Sequence, residues 1–293
     1  MSKKVLCAIN PHSGKGRSQS MLAEMQSALP DFQWVVVESS GPQYFSTHLG
    51  GFIDTSICAI AVFGGDGTMH DVVNGLYNSN NLSVPVLLFP AGTGNAFNHD
   101  LACFDCRTAI ERLRKFELQK IDLMKMTNGT QSLVSFNIIG WGLVAQITDL
   151  AERLRIFGGA RYTIASLIKI FANPYRRATL TFEGYQEESD FSFVLLMNTK
   201  HTGKGMKMAP YASLSDGLMD VLIVKRTSLW NLLLLFPSIY SGKHVHSKLL
   251  NYQQVQKITL IATDEQPLTI DGEVKARAPF EVEVLPLALT IIK

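Results

Sequence analysis

The sequence is poor in cysteine, in charge of either sign and in long apolar runs. Its 293 residues include four cysteines, too few for the disulfide framework of a small secreted domain, and a chain of this length buries enough surface to need none. Cys7 and Cys58 fall inside apolar strand-like runs and read as small core residues. Cys103 and Cys106 make one C-x2-C pair. A zinc site needs a second Cys or His pair at suitable spacing, and none is present, so these two read as surface thiols in a loop. Together the cysteines predict a reducing compartment. Charged residues amount to 18%, and 27 Lys+Arg against 25 Asp+Glu leaves a net charge of +2. That balance argues against a dedicated nucleic-acid binder, and no nucleic-acid partner is expected. The most apolar stretch, residues 229–239, is broken by Asn231 and Pro237, and it falls well short of the ~20 residues that cross a bilayer. The N-terminal apolar run is too short for a signal peptide. The expected location is the cytoplasm, in solution or in peripheral contact with a membrane surface.

Hydrophobic residues make up 46% of the chain, a globular composition that argues against disorder, collagen or coiled coil. At about 100–200 residues per domain the length predicts two domains. The first half alternates strand and helix signals. Apolar runs at residues 5–9, 34–37, 57–63 and 84–89 read as strands, and residues 18–29 as a helix. Met69, Val72, Val73 and Leu76 recur at the spacing of a half-buried helix. Alternating β and α with glycine-rich strand ends predicts an α/β layer on a parallel sheet, whose ligands bind at the carboxyl ends of the strands. The second half reads as a mostly antiparallel β domain decorated with helices. Its strands fall near residues 179–183, 191–197, 218–224, 258–261, 268–270 and 280–285, and its helices near 149–155, 162–171 and 230–240. The expected domains are 1–126 and 127–284, with residues 285–293 returning to the first.

Three glycine-rich loops follow predicted strands of the first half. Asn10, Pro11, His12, Ser13, Gly14, Lys15 and Gly16 form the first. It is not a Walker A loop, because Ile9 stands where that motif has its first glycine and Gly16 where it has Ser/Thr. A loop that opens a helix still presents unpaired N–H groups to a phosphate. The second is Gly64, Gly65, Asp66, Gly67 and Thr68. Its glycines remove side chains that would crowd a polyphosphate, which leaves Asp66 to take a proton or organise Mg2+. The third runs from Pro90 through Ala91, Gly92, Thr93 and Gly94 to Asn95. Three loops at three strand ends converge on one crevice.

These motifs, with Asn74-Gly75, resemble the diacylglycerol kinase catalytic family, which includes sphingosine kinases, ceramide kinases and bacterial soluble lipid kinases. Asp216, Gly217, Leu218, Met219 and Asp220 resemble its second-domain motif, and Thr269, Ile270, Asp271, Gly272 and Glu273 its C-terminal one. The resemblance runs nearly end to end. It implies an N-terminal nucleotide-binding α/β domain of the NAD kinase/diacylglycerol kinase type, a C-terminal β-sandwich-like domain, and an active site between them. It also implies ATP and Mg2+ as cofactors and a lipid substrate. By the resemblance the nucleotide is bound by Asn10, Pro11, His12, Ser13 and Gly14, by Gly65, Asp66, Gly67, Thr68, Met69, His70 and Asp71, by Thr93, and by Ser39 or Ser40. Asp66 matches the carboxylate treated as catalytic in sphingosine kinases, and Glu273 the proton acceptor of bacterial members. Ser213, Asp216 and Leu218 match a structural Mg2+ site. Residues 141–145, Asp149, Arg155 and residues 158–162 are similar to the stretch that binds the lipid head in sphingosine and ceramide kinases. Arg161, and more weakly Arg155, would face the ATP phosphates. Asp149 is the candidate for a sphingoid amine or hydroxyl, although in an ungapped match Thr148 fills the column of the sphingosine-kinase acid. Asn95-Ala96 in the third loop, where bacterial diacylglycerol kinases often carry Asn-Asp, leans towards the sphingosine kinases.

Membrane access is expected through residues 225–257, which hold five Lys/Arg, no acidic residue and the apolar run 232–236. Self-association into a homodimer stays open. Two other readings compete. NAD kinases share the Gly-Gly-Asp-Gly-Thr motif, but their downstream Asn-Glu pair is absent here. A catalytically silent lipid- or nucleotide-binding protein is opposed by the intact Asp66, Thr68, Asp216 and Glu273.

Overall fold

A computed structural model describes residues 3–92, 95–129, 131–172, 175–203 and 205–293. The chain divides into two compact units, Met1–Ile121 with Leu287–Lys293, and Asp122–Pro286.

The first unit is built on strands β1 (Lys4–Ile9), β2 (Gln33–Glu38), β3 (Ile57–Gly64) and β4 (Val86–Pro90). Their spatial order is β2-β1-β3-β4, every pair parallel, and Ile291, near the end of the chain, pairs in parallel with Val86. Helices α1 (Arg17–Ala28), α2 (Tyr44–His48), α3 (Asp66–Asn78), α4 (Ala96–Leu101) and α5 (Cys106–Lys115) connect and cover the sheet. β1, β3 and β4 are apolar along their length and buried on both faces, as a sheet covered by helices on both sides requires. The order reverses between β1 and β3. With right-handed crossovers, the β1–β2 and β3–β4 connections then lie on opposite faces, and a crevice opens at the carboxyl ends of β1 and β3.

The thiols expected at the surface are interior. Cys103 is fully buried, and Cys106 opens α5 beside buried Ala109, Ile110 and Leu113. The reason is tertiary: α5 packs against α1 and β4 and closes over both cysteines. Burial pushes the Cys106 thiol up to about 12, so it is inert rather than reactive.

The second unit begins within β5 (Leu118–Asn128), which turns into β6 (Gln131–Ser135) as an antiparallel hairpin. There follow β7 (Ile138–Gly142), α6 (Leu143–Arg153), a 3-10 turn (Arg155–Ala160), α7 (Arg161–Ala172), β8 (Arg176–Phe182), β9 (Tyr185–Met197), β10 (Met219–Lys225) and α8 (Leu229–Ser241). The chain ends in β11 (Leu250–Val255), β12 (Lys257–Ala262), β13 (Pro267–Ile270), β14 (Glu273–Arg277) and β15 (Phe280–Ile292), the last strand crossing back into the first unit. Pairings inside this unit are antiparallel. β9 organises it. Its first half pairs with β8, and its second half lies between β7 and β10. Val194 and Leu196 point into a sandwich core with Trp141, Leu180 and Phe280. Phe193, Leu195 and Met197 point the other way, onto α6, α7 and α8 through Leu143, Ile170 and Leu232. The two-residue period thus separates two cores, and a strand buried on both faces reads as an unbroken apolar run.

Candidate functional site

In the first unit the loops after β1, β3 and β4 are tied to one another. Asn10 accepts the His12 N–H at 3.0 Å through Oδ1 and donates from Nδ2 to Thr68 Oγ1 at 3.3 Å. The backbone N–H of Gly92 donates to the Gly64 carbonyl at 3.0 Å. Glycine is required at these crossings. A Cβ on Gly14 would lie 2.0 Å from the Ala91 oxygen, and one on Gly92 would lie 2.5 Å from the Gly65 Cα. Gly14 also holds a left-handed φ of +61°.

α3 starts immediately after Gly65, and among the described residues no side chain caps its N-terminus. Its first-turn amides belong to Asp66, Gly67 and Thr68, since the Met69 N–H already donates to the Gly65 carbonyl. The Asp66 carboxylate accepts the Ala96 N–H at 2.7 Å and the Phe97 N–H at 3.2 Å, which fastens the third loop to the second. Asn95 sits beside it with Nδ2 on the Gly92 carbonyl, while its buried Oδ1 has no hydrogen-bond partner among the described residues. Ser39 ends β2, its N–H on the Ile9 carbonyl, and Ser40 next to it is exposed. Pro11, His12 and Ser13 line the first loop at partial or full exposure. This sheet edge therefore gathers Asn10–Gly14, Ser39, Ser40 and residues 65–68. Thr93 lies outside the described residues.

Three of the residues expected at the nucleotide have other surroundings. Met69 and His70 are buried in the interior of α3. Asp71 accepts the Phe45 N–H at 2.9 Å and the Ser46 N–H at 3.1 Å, and so caps α2. Asn95, which the third loop's sequence marks as able to hydrogen-bond a nucleotide, lies at this edge with a left-handed φ of +44°.

In the second unit, Ser213, Asp216 and Leu218 share the loop before β10. The Leu218 N–H donates to Asp216 Oδ1 at 3.1 Å, and the Gly217 N–H to Asp122 Oδ2 at 2.7 Å. Asp122 is fully buried and was not anticipated; its partner lies 95 residues away. Asp220 is fully buried, with Oδ1 accepting from Tyr252 and Gln254 and Oδ2 without a partner among the described residues. Burial pushes its carboxyl up to about 6; the Tyr252 hydrogen bond opposes that, and the Asp216 charge adds to it. The donors at this loop are hard oxygens, the set that suits Mg2+ held by one or two carboxylates and water. Among the described residues no cluster of three or more His, Cys, Asp and Glu could hold a metal.

Glu273 opens β14. It is about half exposed and pairs with Lys275 Nζ through Oε2 at 3.0 Å, while Oε1 makes no hydrogen bond among the described residues. The Asp271 carboxylate before it is buried. It accepts the Ser135 hydroxyl at 2.7 Å and the N–H groups of Asn137 and Ile138 at 3.0 and 3.1 Å. This clamp sets the turn that presents Glu273. α6 packs on β13 and β14. On it Thr148 is buried with its hydroxyl returned to the Val144 carbonyl, whereas Asp149 faces outward and pairs with Arg153 at 3.0 Å. Arg161 pairs with Glu152 at 3.4 Å and lies over the Tyr162 ring. The Trp141 side chain belongs to the sandwich core. The Arg155 side chain lies outside what is described.

Comparison with known proteins agrees with this construction. The family described as "Diacylglycerol kinase catalytic domain" matches residues 4–126, and "YegS C-terminal NAD kinase beta sandwich-like domain" matches residues 137–293. A Staphylococcus haemolyticus protein named "Putative lipid kinase" is 30% identical, over 80% of this chain and 75% of its own. A Mycobacterium tuberculosis protein named "Diacylglycerol kinase" is 26% identical over 99% and 95%. A crystal structure of a "putative diacylglycerol kinase" from Bacillus anthracis superposes with a TM-score of 0.83 at 22% identity, over 99% of this chain and 97% of that one, a likeness of fold. The chain belongs to the diacylglycerol kinase catalytic family, in the two-domain form completed by a YegS-type, NAD kinase-like β-sandwich.

Proposed function

We infer that the chain is an ATP-dependent kinase that transfers the γ-phosphate to a hydroxyl of a membrane lipid of the sphingoid-base or diacylglycerol class. The observation that carries this reading is the interlocking of three glycine-rich loops at the carboxyl edge of the first unit's sheet, where the strand order reverses. The glycines let the three loops pack backbone against backbone at one edge, and Asn95 Oδ1 is an acceptor without a donor among the described residues. Both features fit a nucleotide.

ATP supplies the phosphoryl group when bound, and Mg2+ neutralises its charge. The chain's own part is to hold and orient. The first-turn amides of α3 donate to phosphate oxygens, aided by the helix dipole. Asn10 fixes the Thr68 hydroxyl, and Ser39 or Ser40 adds a further donor from the end of β2. Asp66, with both oxygens on the amides of Ala96 and Phe97, positions the third loop. Glu273 keeps one oxygen free and takes the proton as the lipid oxygen bonds to phosphorus and the bridging bond to the diphosphate breaks. Lys275 pairs with its other oxygen and orients the carboxylate. Asp149, on the outward face of α6, is the candidate for the acceptor's polar head, and Ser213, Asp216 and Leu218 hold Mg2+ as a structural ion.

The test is transfer of labelled γ-phosphate to sphingosine, ceramide, diacylglycerol and monoacylglycerol in mixed micelles, with NAD as a soluble competitor for the label. One labelled lipid is expected. Glu273→Gln should lower kcat by about 10²–10⁴ with little change in the KM for ATP. Asp66→Asn should also raise that KM. Labelled NAD, or undiminished transfer by Glu273→Gln, would contradict the reading.

A further inference from the structure

The second unit carries an apolar face that its own cores leave uncovered. α8 is apolar except for Asn231, Ser238, Ser241 and the Tyr240 hydroxyl. Leu232 and Leu235 enter the core beneath it, but Trp230 and Leu234, one turn apart on one stripe, are 72% and 77% exposed. α7 packs against α8, with Thr163 and Tyr240 hydroxyls 3.4 Å apart, and repeats the pattern. Ile170 is buried, whereas Leu167, Ile168 and Phe171 are exposed together. The 3-10 turn before α7 adds Ile156, 88% exposed, and Phe157. Single exposed apolar side chains are ordinary, but seven on three adjacent elements mark an interaction surface.

Charge identifies the partner. Residues 155–172 contain three Lys/Arg and residues 225–257 five, with no Asp or Glu in either. Three of the five are paired with acids from the sheet: Lys225 with Glu187, Arg226 with Asp190 and Lys257 with Glu281. Lys243 and Lys248 have no acidic partner among the described residues. Lys243 lines a groove of about 310 Å³ at the end of α8, together with Leu234, His244 and His246. Apolar stripe and a cation without an acidic partner thus meet at one place. Two such faces from two copies of the chain would bring like charges together, whereas an anionic bilayer offers hydrocarbon to the stripe and phosphate to the lysines.

We propose that α7, α8 and the basic turn after α8 form the surface by which this unit docks on an anionic phospholipid bilayer, with Trp230 and Leu234 inserted at the interface. The inference rests on the lipid-kinase reading only for its purpose, access to an acceptor in a membrane. It is tested without nucleotide. The full chain is floated with phosphatidylcholine vesicles, with and without phosphatidylglycerol. Partition is expected to rise about tenfold with the anionic lipid and to weaken with salt. Trp230→Ser with Leu234→Ser should reduce it about tenfold, and Lys243→Glu with Lys248→Glu should remove the preference for anionic lipid. Brominated acyl chains should quench wild-type tryptophan emission, an effect that Trp230→Phe removes even if the serine variant is unstable. Wild-type protein left in the buffer, quenching unchanged in Trp230→Phe, or a solution dimer dissociated by the serine pair would overturn the proposal. Docking retained without phosphate transfer would support this surface and count against the kinase. Transfer in micelles without docking would do the reverse.

Discussion

The two units hold their carboxylates by the same device but at different range. In the first, Asp66 reaches amides 30 residues on and Asp71 amides 26 residues back, across neighbouring strand–helix connections. In the second, Asp122 takes a donor 95 residues away and Asp271 one 136 residues away. A parallel α/β unit delivers its functional loops to one sheet edge through local crossovers. An antiparallel sandwich brings its turns together only when distant strands pair. The first unit is therefore written in contiguous motifs, and the second in single residues whose partners are remote. The comparison also separates carboxylates that hold the fold from those left available: Asp271 is buried on four donors, and Glu273, two residues later, is half exposed with one lysine.

The largest effect that would sharpen this contrast is Asp271→Ala. It strands the buried amides of Phe136, Asn137 and Ile138, each costing about 1–3 kcal/mol, so the second unit should lose at least ~3 kcal/mol of stability in urea unfolding. Retained stability would mean that the clamp is incidental. Next is Gly14→Ala, which meets the Ala91 carbonyl in a left-handed conformation. A loss of about 2 kcal/mol is expected from strain and overlap, with nucleotide affinity down more than about tenfold in calorimetry. Gly16, also left-handed but with open space around it, is the control, and its alanine variant should lose only the backbone term. Smallest is Glu273→Gln. A half-exposed residue with one surface ion pair should alter the urea midpoint by no more than about 0.5 kcal/mol. A large shift there would move Glu273 from the available group to the structural one.

Much of the first unit was legible because its signals are local. Apolar runs gave β1, β3 and β4, and the glycines after them marked the turns where side chains must be absent. The helical spacing from Met69 to Leu76 located α3. Membership in a motif does not say which way a side chain faces, and the Asp71 carboxylate turns back to α2. α4 and α5 went unnoticed, since their apolar positions are few and their burial depends on α1 and the sheet. That is also why Cys103 and Cys106 looked superficial. In the second unit β9 was readable in part, as its doubly buried half is an apolar run, while β5, β6 and β7 were not. Asp122 stood in a strand with nothing beside it to suggest a partner near Gly217.

By itself the sequence determined the parallel layer, the three loops and the β-rich character of the remainder, because hydrophobic period and glycine placement act over a few residues. The tertiary structure alone decided which carboxylates are tied to amides and which stay available, which cysteines are interior, and which apolar faces remain uncovered. Each depends on a partner tens of residues away, and hydrogen bonding and burial are properties of what arrives there, not of the residue that waits for it.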